Sequence, residues 1–487
     1  MLKRPYLGVG AAILSAVLYG CAPYTTITSF ISLICLVPLF WAVLMQDDMD
    51  LPLWAGFLFG AIASLLQLAT VFYSIAHGIV KTGFITRILI LIPPLGYTAL
   101  LGLLFFSIPK LFAKLSSSQT IRSIGWIVGS FVYFKSFAHW CMAPFGRIEG
   151  YILTNPLLPL ARVPALLFPM RIIGEAMTLL LLCTLMFLCA LTIYYLTKAL
   201  LMKLFASLLI IIGTVSVWIL SGIYLYKKEP HTDLTIIRNK IVSCPFFSNF
   251  SPDIKKVVPY IGYIFYKAQK QFPHATIFIS QESSTHVDQW DTNPILGETF
   301  SEMRMTRPIK IVLGGFRWNE NKYHNSLYFF DNEKLVQWHD KRHSIALDER
   351  IPWIADFAWV KNAFFGNLIP TCPSKNPRKA FKLDSDLAVV PYICSEFFFN
   401  NWPDEDPKLL AQHLPILICS NDYWGRFEYL QENMQLYVRY CAIYWNRTII
   451  YNAYHRNAIV ASDGSSIPMQ TFDEIKKRSN KKKEPAL

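Results

Sequence analysis

The stretch LAVVPYICSEFFF (387–399) decides the fold of the second half of this 487-residue chain. Seven apolar residues lead into Cys394, and Glu396 follows two places on. A run of that length and composition reads as a β-strand, so the thiol stands where a strand stops. Working outward, HATIFISQES (274–283) is another such run and closes on Glu282, while WHDKRH (338–343) ends a further strand and carries Lys341. A thiol is only partly ionised at neutral pH, its unperturbed pKa being about 8.5, so a nearby base and a positive charge help to activate it. A cysteine, a base and a cation are together the parts required for acyl transfer through a thioester. Taken singly, each has a blander reading: a Glu–Lys pair is usually a surface ion pair, and a lone cysteine a small buried hydrophobe. The ordered set is what points to catalysis.

The surrounding sequence alternates in the same style. ATIFIS, IKIVLGG, NSLYFF, KLVQWH, LAVVPYIC, LPILICS, TIIYNAY and NAIVAS read as strands. DIKKVVPYIGYIFYKAQKQ (253–271) and FEYLQENMQLYVRYCAIYWN (427–446) carry apolar residues at helical spacing. The mixture predicts layered sheets with helices outside them, in a domain over 227–470 without internal sequence repeats.

Before residue 227 the chain is of another kind. Hydrophobic residues make up 53% of the whole and charged residues only 16%, with a mean hydropathy of +0.33; this is too apolar for a soluble enzyme. A membrane span needs about 20 apolar residues, and seven windows qualify: 7–23, 27–45, 52–80, 84–107, 121–142, 165–196 and 202–226. The domain 1–226 is therefore expected to be a transmembrane domain of about seven helices, the first of them retained. Lys3, Arg4, Lys110, Lys114, Arg122, Lys198 and Lys203 fall on one side if these windows hold, which puts the N-terminus in the cytoplasm. The acidic loop QDDMD (46–50) runs against that scheme. With seven spans, residues after 226 lie on the outer face. Lys135, Arg171 and Glu175 are the charges near span ends that invite functional suspicion.

Coupled to a membrane anchor, the Glu–Lys–Cys set suggests lipid handling. The chain resembles the bacterial apolipoprotein N-acyltransferases, membrane members of the nitrilase (carbon–nitrogen hydrolase) superfamily. Five motifs carry the resemblance in order. YGCAPYTTITSFISLICLVPLFWAV (19–43) is similar to the family's opening segment, and SQES to its Pro-Glu-Ser site. YHNSLYFF with HDKRHSIALDERIP (339–352) is similar to its Lys motif, with Glu349 eight residues after Lys341. ICSEFFF resembles its Cys-Tyr-Glu motif, and SNDYWG (420–425) its Asn-Asp-x-Trp motif.

The resemblance implies a multi-helix transmembrane domain followed by an α/β nitrilase-like αββα sandwich. It implies Cys394 as nucleophile, Glu282 as general base and Lys341 as the oxyanion's partner. Glu349 would hold Lys341, Glu396 would play a supporting part, and Ser395 and Trp424 would touch substrate. It also implies an acyl chain moving from a membrane phospholipid to the N-terminal amine of a diacylglyceryl-cysteine apolipoprotein, by a monomer in the bacterial inner membrane whose catalytic domain faces the periplasm. No cofactor, metal or nucleic acid is expected, and the ten cysteines contain no CxxC pair.

Several positions depart from the family. Gln281 replaces its Pro, Ser395 its Tyr, IALDE its Val-Pro-Phe-Gly-Glu ending, and RYCAIYW (439–445) its Arg-x-Arg-Ala-x-Glu run. No long apolar run follows IVASDGS, and 471–487 is a basic tail, expected to be disordered, with six basic residues among the eight at 476–483. These departures keep open another acceptor, a hydrolase, or an inactive protein of the same fold.

Overall fold

The structure is a computed structural model that describes residues 4–46, 50–79, 84–140, 154–229, 233–245, 254–284, 308–319, 322–332, 334–343, 371–398, 409, 412–422 and 428–472. These gather into two compact units. One holds the described residues up to Glu229 together with 428–444; the other holds the remainder.

The first unit is helical: α1 (Arg4–Cys21), α2 (Thr26–Ile31), α3 (Val37–Leu44), α4 (Leu53–Ile79), α5 (Phe84–Leu115), α6 (Gln119–Trp140), α7 (Phe168–Thr197) and α8 (Leu201–Lys228). Among the described residues three stretches are long and apolar enough to cross a membrane: Leu95–Leu115 within α5, α7 and α8. Tyr6–Cys21 and Leu53–Leu68 are shorter apolar stretches. Along the 28 residues of α8 only Ser207 and Gly222 are buried, and Phe205, Leu209, Val217 and Leu220 are each at least 65% exposed. So much uncovered hydrocarbon on one helix suits a bilayer rather than water.

The span expected over 27–45 is not one helix. Residues 32–36 turn between α2 and α3, with Val37 N bonding Ile34 O at 3.0 Å. Pro38 lies in the first turn of α3; there its missing N–H costs nothing, but its ring disfavours helix before it. Eight residues of α3 reach only about 12 Å, less than half of a hydrocarbon core. The acidic loop has a local answer too: Asp50 pairs with Lys110 at 2.7 Å. The suspected intramembrane charges are also paired, Lys135 with Glu175 at 3.0 Å and Arg171 with Glu229 at 2.7 Å.

Helices α4 and α5 approach closely through Gly56, Gly60 and Gly102. A Cβ on Gly102 would lie 2.1 Å from Gly56 O, and one on Gly60 2.3 Å from Thr98 O. The spacing of Gly56 and Gly60 is the small-residue pattern that lets membrane helices touch backbone to backbone. Phe59, Phe105, Phe106, Trp126 and Tyr133 interlock edge to face beside this crossing and are buried.

The second unit contains two six-stranded sheets. Its strands are β1 (Ile241–Ser243), β2 (Ile277–Ile279), β3 (Lys310–Asn319), β4 (Lys322–Asp331), β5 (Lys334–Asp340), β6 (Phe381–Lys382), β7 (Ala388–Ile393), β8 (Ile416–Cys419), β9 (Ile449–Asn452), β10 (Asn457–Val460), β11 (Ser466–Pro468) and β12 (Gln470–Thr471). The orders are β12-β1-β2-β3-β4-β5 and β11-β10-β9-β8-β7-β6. Each sheet contains the same five-strand path: three parallel strands, β1-β2-β3 or β7-β8-β9, and then two antiparallel ones.

Between the sheets, Ile279, Val312, Leu327 and Phe329 meet Phe381, Val389, Leu417 and Ile450 in a closed apolar layer. On the far side of the first sheet, the helix Ile254–Gln271 sets Ile261, Ile264, Phe265 and Ala268 against Phe278, Ile311 and Tyr328. The far side of the second sheet is buried as well, through Val390, Tyr392 and Ile418. There Phe397, from the short helix after β7, packs edge to face on both Tyr392 and Trp445. Two facing sheets with helices outside are the αββα architecture expected.

Gly102→Ala should force α4 and α5 apart and cost about 1–3 kcal/mol, whereas Gly213→Ala, which meets nothing within 4 Å, should not. Melting of the detergent-solubilised protein compares the two variants.

Candidate active site

Glu282 stands three residues past the end of β2, in a turn whose next residue, Ser283, has φ +52°. It can sit there because β3 carries Gly314 beneath it. A Cβ on Gly314 would come 2.1 Å from Gln281 O and 3.0 Å from Glu282 Cα. The glycine therefore lets the carboxylate's backbone cross β3 at close range.

Lys341 extends β5 by one residue, its N–H bonding Asn325 O at 2.7 Å. Its Nζ donates to Glu282 Oε1 at 2.6 Å. Asn325 Nδ2 donates to the same oxygen at 2.8 Å, and the backbone N–H of Asn421 donates to Oε2 at 3.1 Å. Glu282, Lys341 and Asn325 are 5%, 3% and 2% exposed. A buried ion pair recovers its desolvation only when other hydrogen bonds complete it; here an amide and a backbone N–H do so.

Cys394 follows β7 directly with φ +40°, a conformation that L residues seldom hold without support. The support is hydrogen bonding on both sides: Cys394 N donates to Cys419 O at 3.0 Å, and Phe397 N to Cys394 O at 2.9 Å. The segment that anchors Cys394 through Cys419 thus also supplies, two residues later, the Asn421 N–H on Glu282. The thiol of Cys419 itself is driven well above its ordinary value by burial, with a smaller push from Glu282. It stays protonated, and Cys394 remains the candidate nucleophile.

Glu396 links the two motifs from behind. Its Oε2 accepts from Ile393 N at 2.8 Å and lies 3.0 Å from His339 Nε2. Its Oε1 accepts from Arg342 N and lies 3.3 Å from Arg378 Nη2. One carboxylate therefore holds residues on both sides of Lys341 and the residue before Cys394. Burial pushes its pKa up, but the charges of His339 and Arg378, with hydrogen bonds from His339 and from Arg342 N, outweigh that and hold it well below the usual carboxylate range. The Arg378 guanidinium lies 3.7 Å over the Tyr392 ring. On the opposite face of the sheet, Asp340 takes hydrogen bonds from Arg317 Nε at 2.9 Å and Ser326 Oγ at 2.7 Å, fixing the strands where Lys341 leaves them.

The structure thus brings Glu282 and Lys341 into contact, and seats Glu396 between the segments that carry Lys341 and Cys394. Glu349 and Trp424 lie outside the described residues. Ser395, of which only the backbone is described, opens the short helix Ser395–Phe398. Asn325, Gly314 and Arg378 were not singled out from the sequence. An asparagine inside a strand-forming run, as in YHNSLYFF, is a signal that could have found the first, because asparagine is depleted in strands. His339, two residues before Lys341, meets Glu396.

Neither a protein-family model nor a curated protein matches the sequence. Solved structures do. The glutamine-dependent NAD+ synthetase of Acinetobacter baumannii, in complex with ADP, is 13% identical over 47% of this chain with a TM-score of 0.33, and the match spans only 43% of the synthetase. Saccharomyces cerevisiae Nit3, a member of branch 10 of the nitrilase superfamily, is 12% identical with a TM-score of 0.32, covering 50% of this chain and 93% of Nit3. A carbon-nitrogen hydrolase from Helicobacter pylori G27 is 14% identical with a TM-score of 0.32, covering 50% and 92%. Such likeness concerns the fold alone and adds nothing to the strand order and side-chain geometry above.

Replacing Glu396 by Gln should strand the charge of Arg378 in a buried site and cost about 3–5 kcal/mol, readable as a fall in melting temperature. Asp422, beside Asn421, behaves in the opposite sense. Burial raises its pKa to about 6, against backbone donors such as His455 N at 2.9 Å. The folded state then binds the proton more tightly than the unfolded chain, so its contribution is present below about pH 4 and lost as pH rises through about 6. Asp422→Asn should flatten that part of the stability profile relative to the wild type.

Proposed function

We propose that this chain is a membrane-bound acyltransferase of the nitrilase type, moving an acyl chain from a phospholipid to an amine through a thioester on Cys394. The observation that carries the reading is the buried Glu282 carboxylate, held by Lys341 at 2.6 Å, Asn325 at 2.8 Å and Asn421 N at 3.1 Å, in a unit that presents Cys394 on a strained strand end. Three apolar helices in the same chain explain why the donor would be a lipid.

In the first half-reaction Glu282 takes the Cys394 proton as the sulfur attacks the ester carbonyl carbon. Lys341 Nζ–H stabilises the oxyanion of the tetrahedral intermediate. Collapse breaks the carbon–oxygen bond, and the leaving alkoxide takes the proton from Glu282 to depart as lysophospholipid. In the second half, an amine attacks the thioester carbon and Glu282 accepts its proton. The Cys394 thiolate leaves and is reprotonated. Glu396 positions both partners by tying their strands together. The acceptor favoured by the motif resemblance is the N-terminal amine of a diacylglyceryl-cysteine apolipoprotein, met on the outer face of a bacterial inner membrane. Water as acceptor would make the same site a hydrolase.

The test uses full-length protein with acyl-labelled phospholipid. Hydroxylamine-sensitive label should appear on the wild type and be absent from Cys394→Ala, then pass to an added diacylated lipopeptide. Lys341→Ala should slow label formation by about 10²–10³-fold. Label that forms but leaves only as free fatty acid would reassign the acceptor to water. No label on folded wild-type protein in lipid would overturn the proposal.

A further inference from the structure

The inner face of the first sheet changes character twice along β4. Phe329 and Leu327 belong to the closed core, Phe329 stacking on Phe381 with centroids 5.7 Å apart. Next on that face is Asn325, which with Lys341 forms the polar row around Glu282. Beyond it the face turns aromatic again. Strand register sets Phe316 opposite Asn325 and Trp318 opposite Tyr323. Phe316 and Tyr323 stack with centroids 4.8 Å apart and planes at 8°, and Trp318 lies 6.0 Å from Tyr323.

This second apolar patch belongs to neither core cluster of the unit. Its exposure grows away from the site, from 8% at Phe316 to 46% at Trp318. The opposite face of the same sheet offers a comparison: Trp338, on β5, is similarly exposed at 42%, and there a charged group, Arg317, lies 5.2 Å from the ring.

We propose that Phe316, Tyr323 and Trp318 form an acyl-chain ledge, a subsite that takes the hydrocarbon chain of the donor as its carbonyl sits at Lys341 and Cys394. The inference rests on the acyl-transfer reading and deepens it. The occupant follows from continuity: the ledge begins at Phe316, directly across from the asparagine that binds Glu282, and leads outward over rigid aromatic faces without charge. Aromatic surface of this kind favours an apolar chain over a polar headgroup, and each methylene it removes from water is worth about fourfold in binding. Trp318 then determines preference for chain length, since it lies at the outer end.

Two readouts on the full-length protein test this. In Cys394→Ala, which needs no turnover, a diazirine-bearing octanoyl ester should crosslink within 310–331. Crosslinks confined to other segments would overturn the ledge. In protein with Cys394 intact, the ratio of kcat/KM for octanoyl over acetyl p-nitrophenyl esters should fall at least tenfold in Trp318→Ala and in Tyr323→Ala. Trp318→Phe should retain most of the ratio and Trp338→Ala all of it. An unchanged ratio in the alanine variants would sink the proposal, including the case in which they only lose binding to phospholipid vesicles. Crosslinking in 310–331 without any Cys394-dependent ester cleavage would uphold the ledge and instead reject acyl transfer.

Discussion

A carboxylate and an ammonium 2.6 Å apart, with 5% and 3% of their residues' surface exposed, set the terms for the second unit. Burying two ions costs more than their attraction returns unless every remaining lone pair and proton is used. Glu282 therefore needs Asn325 and the Asn421 N–H, which requires β4 and the end of β8 to reach it together. Gly314 must lack a side chain so that the turn bearing Glu282 can lie over β3. Asp340, locked by Arg317 and Ser326, fixes the point at which Lys341 departs from β5. The positive φ of Cys394 is tolerated because hydrogen bonds on both sides hold it. Glu396 then ties the two strand ends together, so the segments that carry Cys394 and Lys341 are held by one buried group.

The helical unit obeys a different solvent. Its close contacts are backbone to backbone at Gly56, Gly60 and Gly102, where small residues rather than hydrophobic side chains bring helices together. Its exposed surface is hydrocarbon, most plainly on α8. The charges that looked out of place in the apolar sequence are neutralised pairwise, Lys135 by Glu175 and Arg171 by Glu229. Paired in this way they hold the helical segments in place.

Much of the α/β unit was legible because its signals are local. Apolar β-type runs marked β2, β3, β4, β5, β7, β8, β9 and β10, and helical periodicity marked the helix Ile254–Gln271, as it did the helix over 428–445, most of which belongs to the first unit. The strands outside those runs, β1, β6, β11 and β12, have only two or three residues each, too few for any alternation to be visible. The span predicted over 27–45 failed for a related reason: average hydropathy does not register a proline and a turn. The repeated five-strand path of the two sheets left no trace in the sequence, because a path is a property of pairing rather than of residue type.

The sequence by itself determined the residue types and their order: an apolar half, then Glu282, Lys341 and Cys394 at the ends of three strand-forming runs. Periodicity and composition suffice for that, since each acts over a few neighbouring residues. Only the tertiary structure decided which groups meet. Asn421 reaches Glu282 across 139 residues of chain, and Glu396 reaches His339 across 57. Such contacts depend on strand register, and a slip of one residue would turn every side chain of a strand to the opposite face.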